Sequence, residues 1–446
     1  MKQAVVALVG RPNVGKSALF NRLTGKARAI VDSTPGLTRD RNYGLAVWQN
    51  REFIVVDTGG VEMEAQDKIR RQVQEQTQVA LREADIILYV VDARTPLDRA
   101  DSHIADLLRR ADKPTFLVVN KVDNAEQEAE AQEFWSLGLG EPYPVSSLHG
   151  RRVDELLDAL WPLLPEAPLT PDDADDLTIK MAVVGRPNVG KSSLVNRILG
   201  ESRVLVSDVP GTTRDSVDSE FTYKEKKYRI VDTAGLNSPH HINEEALDDY
   251  AAVRALRSIR ESHVVLLLLD ASIPLSDQDE RIAGFIHEAG RACILGINKW
   301  DLLEKDATTT QLYSAILRKR MPFLDYAPIV TFSAKTGQRV DRVLELAAYV
   351  DEQHVMRFKT SLLNNALKEI LKKHPEPSRH GKSLKVNYIS QTGVRPPAFA
   401  LFVNEAKRMH FAYLRHIKNG LRARFGLEGT PLIIMLRGQK EAKERA

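Results

Sequence analysis

With 446 residues, 43% hydrophobic and 28% charged, the chain is too apolar for disorder and long enough for about three domains. One cysteine, Cys293, excludes an internal disulfide framework, and the longest apolar runs, residues 264–269 among them, are too short to span a bilayer. The net charge of +3 hides a strong asymmetry: from His354 onward Lys and Arg outnumber Asp and Glu by 19 to 6, while the preceding residues carry 44 basic against 54 acidic side chains. An acidic body with a basic tail points to a polyanionic partner for the tail. The opening MKQAVVALVG runs from an apolar segment straight into a glycine loop, without the cleavage site of a signal peptide. A cytoplasmic protein with an inert, buried Cys293 and no membrane partner is expected.

In chain order, apolar β-rich runs alternate with amphipathic stretches. Strands are expected at AVVALV, EFIVVD, DIILYVVD and PTFLVVN, and helices at residues 17–23, 67–82 and 103–110. Such alternation predicts an α/β domain over residues 1–162, a mostly parallel sheet covered by helices on both faces. Residues 163–177 turn rich in Pro and Asp and read as a solvated linker. The same order restarts at Ile179, with strands at YRIVD, HVVLLLLD and CILGINK, so residues 178–353 duplicate the first domain at an offset of 175 residues. Residues 354–446 change pattern. Leu362, Leu363, Ala366, Leu367, Ile370 and Leu371 share one helical stripe, KSLKVNYISQT and PAFALFVNE read as strands, residues 411–425 as a helix and TPLIIMLR as a last strand. This α-β-β-α-β unit is large enough for its own small core.

The octapeptide GRPNVGKS occurs twice, as Gly10, Arg11, Pro12, Asn13, Val14, Gly15, Lys16 and Ser17 and again as Gly185, Arg186, Pro187, Asn188, Val189, Gly190, Lys191 and Ser192. Its glycines let backbone N–H groups converge on phosphate oxygens, its lysine reaches the β/γ-phosphates and its serine offers a hydroxyl to magnesium. Downstream lie Asp57-Thr58-Gly59-Gly60 and Asp232-Thr233-Ala234-Gly235, each at a strand end. The carboxylates suit magnesium and the N–H groups of Gly60 and Gly235 suit a γ-phosphate. Between them, Thr38 and Thr213 are candidates for a second hydroxyl on magnesium, made only while γ-phosphate is present. Base identity is assigned to Asn120, Lys121 and Asp123 and to Asn298, Lys299 and Asp301, because a carboxylate accepts the N1–H and N2–H₂ pair of guanine, which adenine lacks. Ser146 and Ser147, with Ser333, Ala334 and Lys335, are placed to supply N–H groups to the guanine oxygen.

This ordered set, present twice, resembles the translation-factor-like GTPases. With the basic tail it resembles the double-Era-like ribosome-assembly GTPases over essentially the whole chain. The resemblance implies two G domains followed by a KH-like domain, and a role in maturing the large ribosomal subunit; GTP hydrolysis at two sites that controls binding of the basic tail to rRNA, by a monomer, is expected. Val61 and Leu236 stand where many GTPases place a water-orienting glutamine, so slow intrinsic turnover is expected. Asn13 and Asn188 match the asparagine that holds potassium in cation-stimulated relatives; as residues alone they read equally as turn formers. Arg408, Arg415 and Arg422 recur every seven residues with Lys418 near them, a candidate RNA-binding stripe beside Leu414, Ile417 and Leu421. No GxxG joins two helices in the tail, as the usual KH clamp on single-stranded RNA requires, which leaves structured rRNA or an acidic G domain of the same chain as alternative docking partners for this face. The reading from another class is a nucleotide-gated accessory subunit of an RNA-modifying enzyme.

Overall fold

The computed structural model describes residues 4–25, 43–49, 51–57, 81, 84–111, 113–164, 178–200, 205–206, 218–232, 244–304, 308–373, 378–379 and 382–438. Two compact units divide the chain, one of residues 1–169 and 239–257 and one of 170–238 and 258–446.

The first unit is built on strands β1 (Val5–Val9), β2 (Tyr43–Trp48), β3 (Arg51–Asp57), β4 (Ile86–Asp92), β5 (Thr115–Asn120) and β6 (Pro142–Pro144), in the order β2-β3-β1-β4-β5-β6. All neighbours are parallel except β2 with β3. Every residue of β1 and β4 is buried, which explains their unbroken apolar text: helices cover both faces, so neither face turns polar. Among the helices are α1 (Lys16–Thr24), α2 (Arg99–Arg109) and α3 (Val153–Leu160). Helix α2 starts four residues before the expected position 103. Asp98 caps it, accepting from the Ala100 amide at 2.8 Å, while Asp101 reaches back to the Asp98 amide at 3.1 Å. The expected helix at 67–82 lies outside the described residues except at Leu81.

The second unit repeats the design with β7 (Ile179–Val184), β8 (Leu205–Val206), β9 (Ser219–Tyr223), β10 (Lys226–Ile230), β11 (Val264–Asp270), β12 (Ala292–Asn298) and β13 (Ile329–Thr331), ordered β13-β12-β11-β7-β10-β9-β8. Helices α4 (Lys191–Leu199), α5 (Asp277–Glu288) and α6 (Val340–His354) belong to it. Register is preserved between the copies at the carboxyl ends, where Asp92 pairs with Asn120 and Asp270 with Asn298. Chemistry-bearing residues therefore gather where parallel strands end. Strands β2, β6, β8, β9 and β13 were not legible. Tyr43–Trp48 lacks a period-2 burial pattern, β6 spends two of its three residues on proline, and β8 has only two residues.

The C-terminal layer contains α7 (Thr360–Lys373), the short β14 (Ser378–Arg379) and β15 (Lys382–Ser383), then β16 (Val386–Gly393), β17 (Ala398–Val403), α8 (Phe411–Phe425) and β18 (Ile433–Gly438). Its sheet, β16-β17-β18, is mixed, antiparallel then parallel. Leu363, Leu367, Ile370, Leu401, Ile417 and Leu421 fill a separate core. Leu362 departs from the expected stripe: it is 53% exposed. The Asn364 amide locks α7 to β16, donating to Ile389 O at 2.9 Å and accepting from Ile389 N at 3.1 Å.

This layer shares a compact unit with the second sheet, and the boundary expected at 353/354 is bridged. Gln353 Oε1 accepts from Leu427 N at 3.0 Å, His354 Nδ1 lies 2.7 Å from Thr430 Oγ1, and Cys293 N donates to Gly429 O at 2.7 Å. Burial pushes the Cys293 thiol up and, with nearby Arg291, pushes His354 well down, so neither side chain is charged in the junction. Gly429 has φ +76°, and a Cβ there would meet Val350 Cγ2 at 2.5 Å. Gly429→Ala is expected to destabilise the second unit by about 1–3 kcal/mol, read as a lower urea midpoint. Gly140→Ala, at φ +89° with nothing within 4 Å, suffers only the backbone strain and shifts less.

Candidate functional site

In both units the loop after the first strand closes on its own lysine. Lys16 Nζ donates to Gly10 O and Arg11 O, each at 2.7 Å, and Lys191 Nζ to Gly185 O at 2.9 Å and Arg186 O at 2.7 Å. Burial lowers both ammonium groups to about 8, opposed at Lys16 by Asp57. A cation already stripped of water and held by carbonyls is prepared for a phosphate. Ser17 Oγ donates to Asp57 Oδ2 at 2.7 Å, bringing a hydroxyl and a carboxylate together beside α1, a hard-oxygen pair that fits magnesium. In the second unit Asp232 has φ +58°, its amide donates to Asp218 Oδ1 at 3.0 Å, and its Oδ2 accepts from Ser258 Oγ at 3.3 Å.

A buried amide stitches each site together. Asn120 Nδ2 donates to Val14 O at 2.9 Å, and its Oδ1 accepts from Ser147 N at 3.0 Å and Ser147 Oγ at 2.8 Å. Asn298 repeats this with Val189 O at 2.8 Å and Ala334 N at 2.9 Å. The amide also explains the second loop glycine. At Gly15 and Gly190 φ is +97° and +99°, and a Cβ would sit 2.2 Å from the Nδ2 of Asn120 or Asn298. Lys121 Nζ meets Asp92 Oδ2 at 2.6 Å and Asn13 O at 2.8 Å, and Lys299 Nζ meets Asp270 Oδ2 at 2.6 Å. Asp123 Oδ1 accepts from Ser146 Oγ at 2.7 Å. That bond, helped by Arg94 against some burial, holds Asp123 below the ordinary carboxylate range.

Two supports were missed by the sequence reading. Arg11 Nε donates to buried Asp101 at 2.7 Å and Arg186 Nε to buried Asp279 at 2.9 Å, tying each loop to the N-terminal box of the helix that follows β4 or β11. Arg22 Nε donates to Ser147 O at 3.0 Å, and Arg197 Nη2 to Lys335 O at 2.6 Å, so each loop helix buttresses the third motif. Both arginines stand six residues after the loop lysine, and that repeated spacing was the available signal.

A family model described as "50S ribosome-binding GTPase" matches residues 5–121 and 180–299, and one described as "KH-domain-like of EngA bacterial GTPase enzymes, C-terminal" matches residues 357–437. GTPase Der of Heliobacterium modesticaldum is 48% identical over 445 residues, covering all of both chains. GTPase Der of Pelotomaculum thermopropionicum is 48% identical over 444 residues, again covering both. The chain belongs to the GTPase Der family.

As a member of the Der family it is a GTPase with two G domains and a KH-like domain. Around its sites, Gly10 to Ser17 and Gly185 to Ser192 form the loops, and Asn120, Lys121, Asp123, Ser146 and Ser147 meet in one cluster. In the other cluster, Asn298 joins Val189 to Ala334, while Ser333 Oγ accepts from Thr336 N at 3.1 Å. Lys299 and Asp301 follow β12 in sequence, as Lys121 and Asp123 follow β5. Asn13 and Asn188 are exposed, with φ of +65° and +62°, a geometry asparagine tolerates better than most residues. Thr38, Thr58, Gly59, Gly60, Thr213, Thr233, Ala234 and Gly235, with Val61 and Leu236, lie outside the described residues. Among those described, no helix is long and apolar enough to cross a membrane.

The expected basic stripe is corrected. Arg408 lies in a short turn, residues 406–408, ahead of α8 and pairs with Glu405 at 2.5 Å. Arg422 faces inward: Nη1 donates to Leu427 O at 2.5 Å, Nη2 to Thr430 O at 2.7 Å, and the guanidinium lies 4.8 Å from the Tyr326 ring centroid. Lys418 is half-buried and close enough to His287 to join burial in lowering that imidazole to about 4. Of the four, Arg415 is the exposed one. Helical spacing found a shared face, but much of that face is spent on the junction with the second G domain.

A lysine titrating near 8 should take up a proton when phosphate docks beside it. Calorimetric GDP binding at pH 8.5, in two buffers of different ionisation enthalpy, is expected to show uptake of about 0.5–1 proton per site. Affinity should fall as pH rises from 8 to 9.5, because the empty loop then favours the neutral amine. Zero proton exchange would contradict the assignment.

Proposed function

We propose that each G domain binds one GTP with magnesium and that the two nucleotide states control attachment to a precursor of the large ribosomal subunit through rRNA, in the cytoplasm and as a monomer. The observation that carries this reading is the Asn120 and Asn298 amides, which join phosphate loop, base motif and third motif into one pocket in each domain. The proposed domains are 1–162 and 178–353 joined by 163–177, with a KH-like domain from 354 to 446 docked on the second.

Loop N–H groups, with Lys16 or Lys191, would hold the phosphates. Ser17, Thr38 and Asp57, and Ser192, Thr213 and Asp232, would hold magnesium, which when bound neutralises charge on the phosphate oxygens. Asp123 and Asp301 would read guanine. Thr38 and Gly60, with Thr213 and Gly235, would sense the γ-phosphate, and hydrolysis would release them. With Val61 and Leu236 unable to orient water by hydrogen bonding, turnover is slow without help. Asn13 and Asn188 would supply that help by holding potassium beside the phosphates. The match to a family described as 50S ribosome-binding GTPases supports the large subunit as partner.

For RNA, exposed cations replace the inward Arg422. Tyr388 stands opposite Phe402 and Phe402 opposite Arg437 across the C-terminal sheet, the two rings 5.7 Å apart, with Tyr388 42% exposed and Arg437 exposed. Two aromatic rings beside a cation suit unpaired bases. An accessory-subunit role has less support, because the family model that matches both G domains is described as a 50S ribosome-binding GTPase.

Co-sedimentation with ribosomal subunits under GTP, GDP and a non-hydrolysable analogue tests the partner. Association that follows nucleotide state is expected, weakened severalfold by Tyr388→Ala with Arg437→Ala; binding indifferent to both would overturn the reading. Single-turnover hydrolysis in matched potassium and sodium buffers is expected to be at least about tenfold faster in potassium. Equal rates would remove the cation role of Asn13 and Asn188.

A further inference from the structure

The two proposed guanine pockets share a backbone turn but differ in the side chain that this turn carries. Two residues after the aspartate ending β4 stands Arg94; two residues after its counterpart ending β11 stands Ser272. Their amides make the same turn, Arg94 N donating to Asp92 Oδ1 at 3.0 Å and Ser272 N to Asp270 Oδ1 at 2.9 Å. The side chains then diverge. Ser272 Oγ folds back onto Asp270 Oδ1 at 2.6 Å. Arg94 extends outward, and its Nη2 donates to Asp123 Oδ2 at 2.5 Å.

Asp123 thus has both oxygens engaged by its own chain, Oδ1 by the Ser146 hydroxyl and Oδ2 by the Arg94 guanidinium. His149 Nε2 stands 4.0 Å from Oδ1. A guanine edge needs both oxygens to accept N1–H and N2–H₂. We infer that Arg94 is an affinity-determining residue of the first site, a built-in occupant of the guanine subsite that the base must displace from Asp123. It makes the first pocket weaker for guanine nucleotides than the same pocket would be with serine.

Arg94 is 55% and Asp123 28% exposed on their side chains, so the competing pair is solvated and screened, and its effect is modest and salt-dependent. The inference rests on Asp123 reading guanine, as proposed above. Displacement leaves a mobile cation at the rim, so the consequence is on binding and release of nucleotide rather than on the hydrolytic step.

The test uses the full-length chain carrying Lys191→Ala to report the first site, and the chain carrying Lys16→Ala to report the second, each titrated with fluorescent GDP. Arg94→Ser is expected to tighten the first site by about two- to fivefold at low salt, the gain shrinking toward unity at high salt. Ser272→Arg is expected to weaken the second site by a similar factor. Unchanged or weaker binding in Arg94→Ser at low salt would overturn the inference, the latter showing that the guanidinium holds the nucleotide. A separate arm tests the underlying reading: Asp123→Asn should exchange guanosine for xanthosine diphosphate at the first site. If that arm fails, the base assignment is wrong; if it succeeds while Arg94→Ser does not tighten binding, the competition alone is wrong.

Discussion

One buried amide in each G domain sets the geometry on which the remaining site residues depend. Asn120 sits at the end of β5, 2% exposed, and donates across the sheet to Val14 O while accepting from Ser147. It joins segments separated by 106 and 27 residues. Burial makes the bonds obligatory, since removing the amide leaves a carbonyl and an N–H without partners, each worth about 1–3 kcal/mol. The glycine at position 15 follows from it: the loop must take a left-handed turn, and the amide occupies the space a side chain would need. The phosphate-loop motif and the Asn-Lys-x-Asp motif are therefore one construction, and the same construction recurs around Asn298.

Supports then extend outward from that amide. Arg22 and Arg197 hold the third motif from the loop helices, and Arg11 and Arg186 anchor the loops to capped helices. The duplication is close in backbone and looser in side chains. Asp57 accepts from Ser17 and Asp232 from Ser258; Arg94 bonds Asp123, whereas Ser272 turns back. At the turn after the strand-ending aspartate, two copies of one fold thus carry different local electrostatics.

Much of this was legible before any coordinates. The octapeptide, the strand-ending aspartates and the Asn-Lys-x-Asp sets carry fixed letters because their chemistry is local, and buried parallel strands announce themselves as apolar runs. Less legible were features set by distant neighbours. Asn120 reads only as part of the base-identity set because sequence cannot show that its amide points at Val14. Arg422 fell on a basic stripe because helical periodicity finds a face without saying what covers it, and here Tyr326 and the 427–430 carbonyls do. The short strands β6 and β13 take their pairing from the sheet rather than from their own residues, and Leu362 obeyed the period yet remained exposed.

The stoichiometry of GDP binding to the full-length chain, with and without Asn120→Ala, tests the central claim most directly. Two nucleotides per chain are expected for the native protein and one for the variant, because losing the amide disables loop and base pocket together. Two nucleotides bound by Asn120→Ala with unaltered affinities would contradict the account.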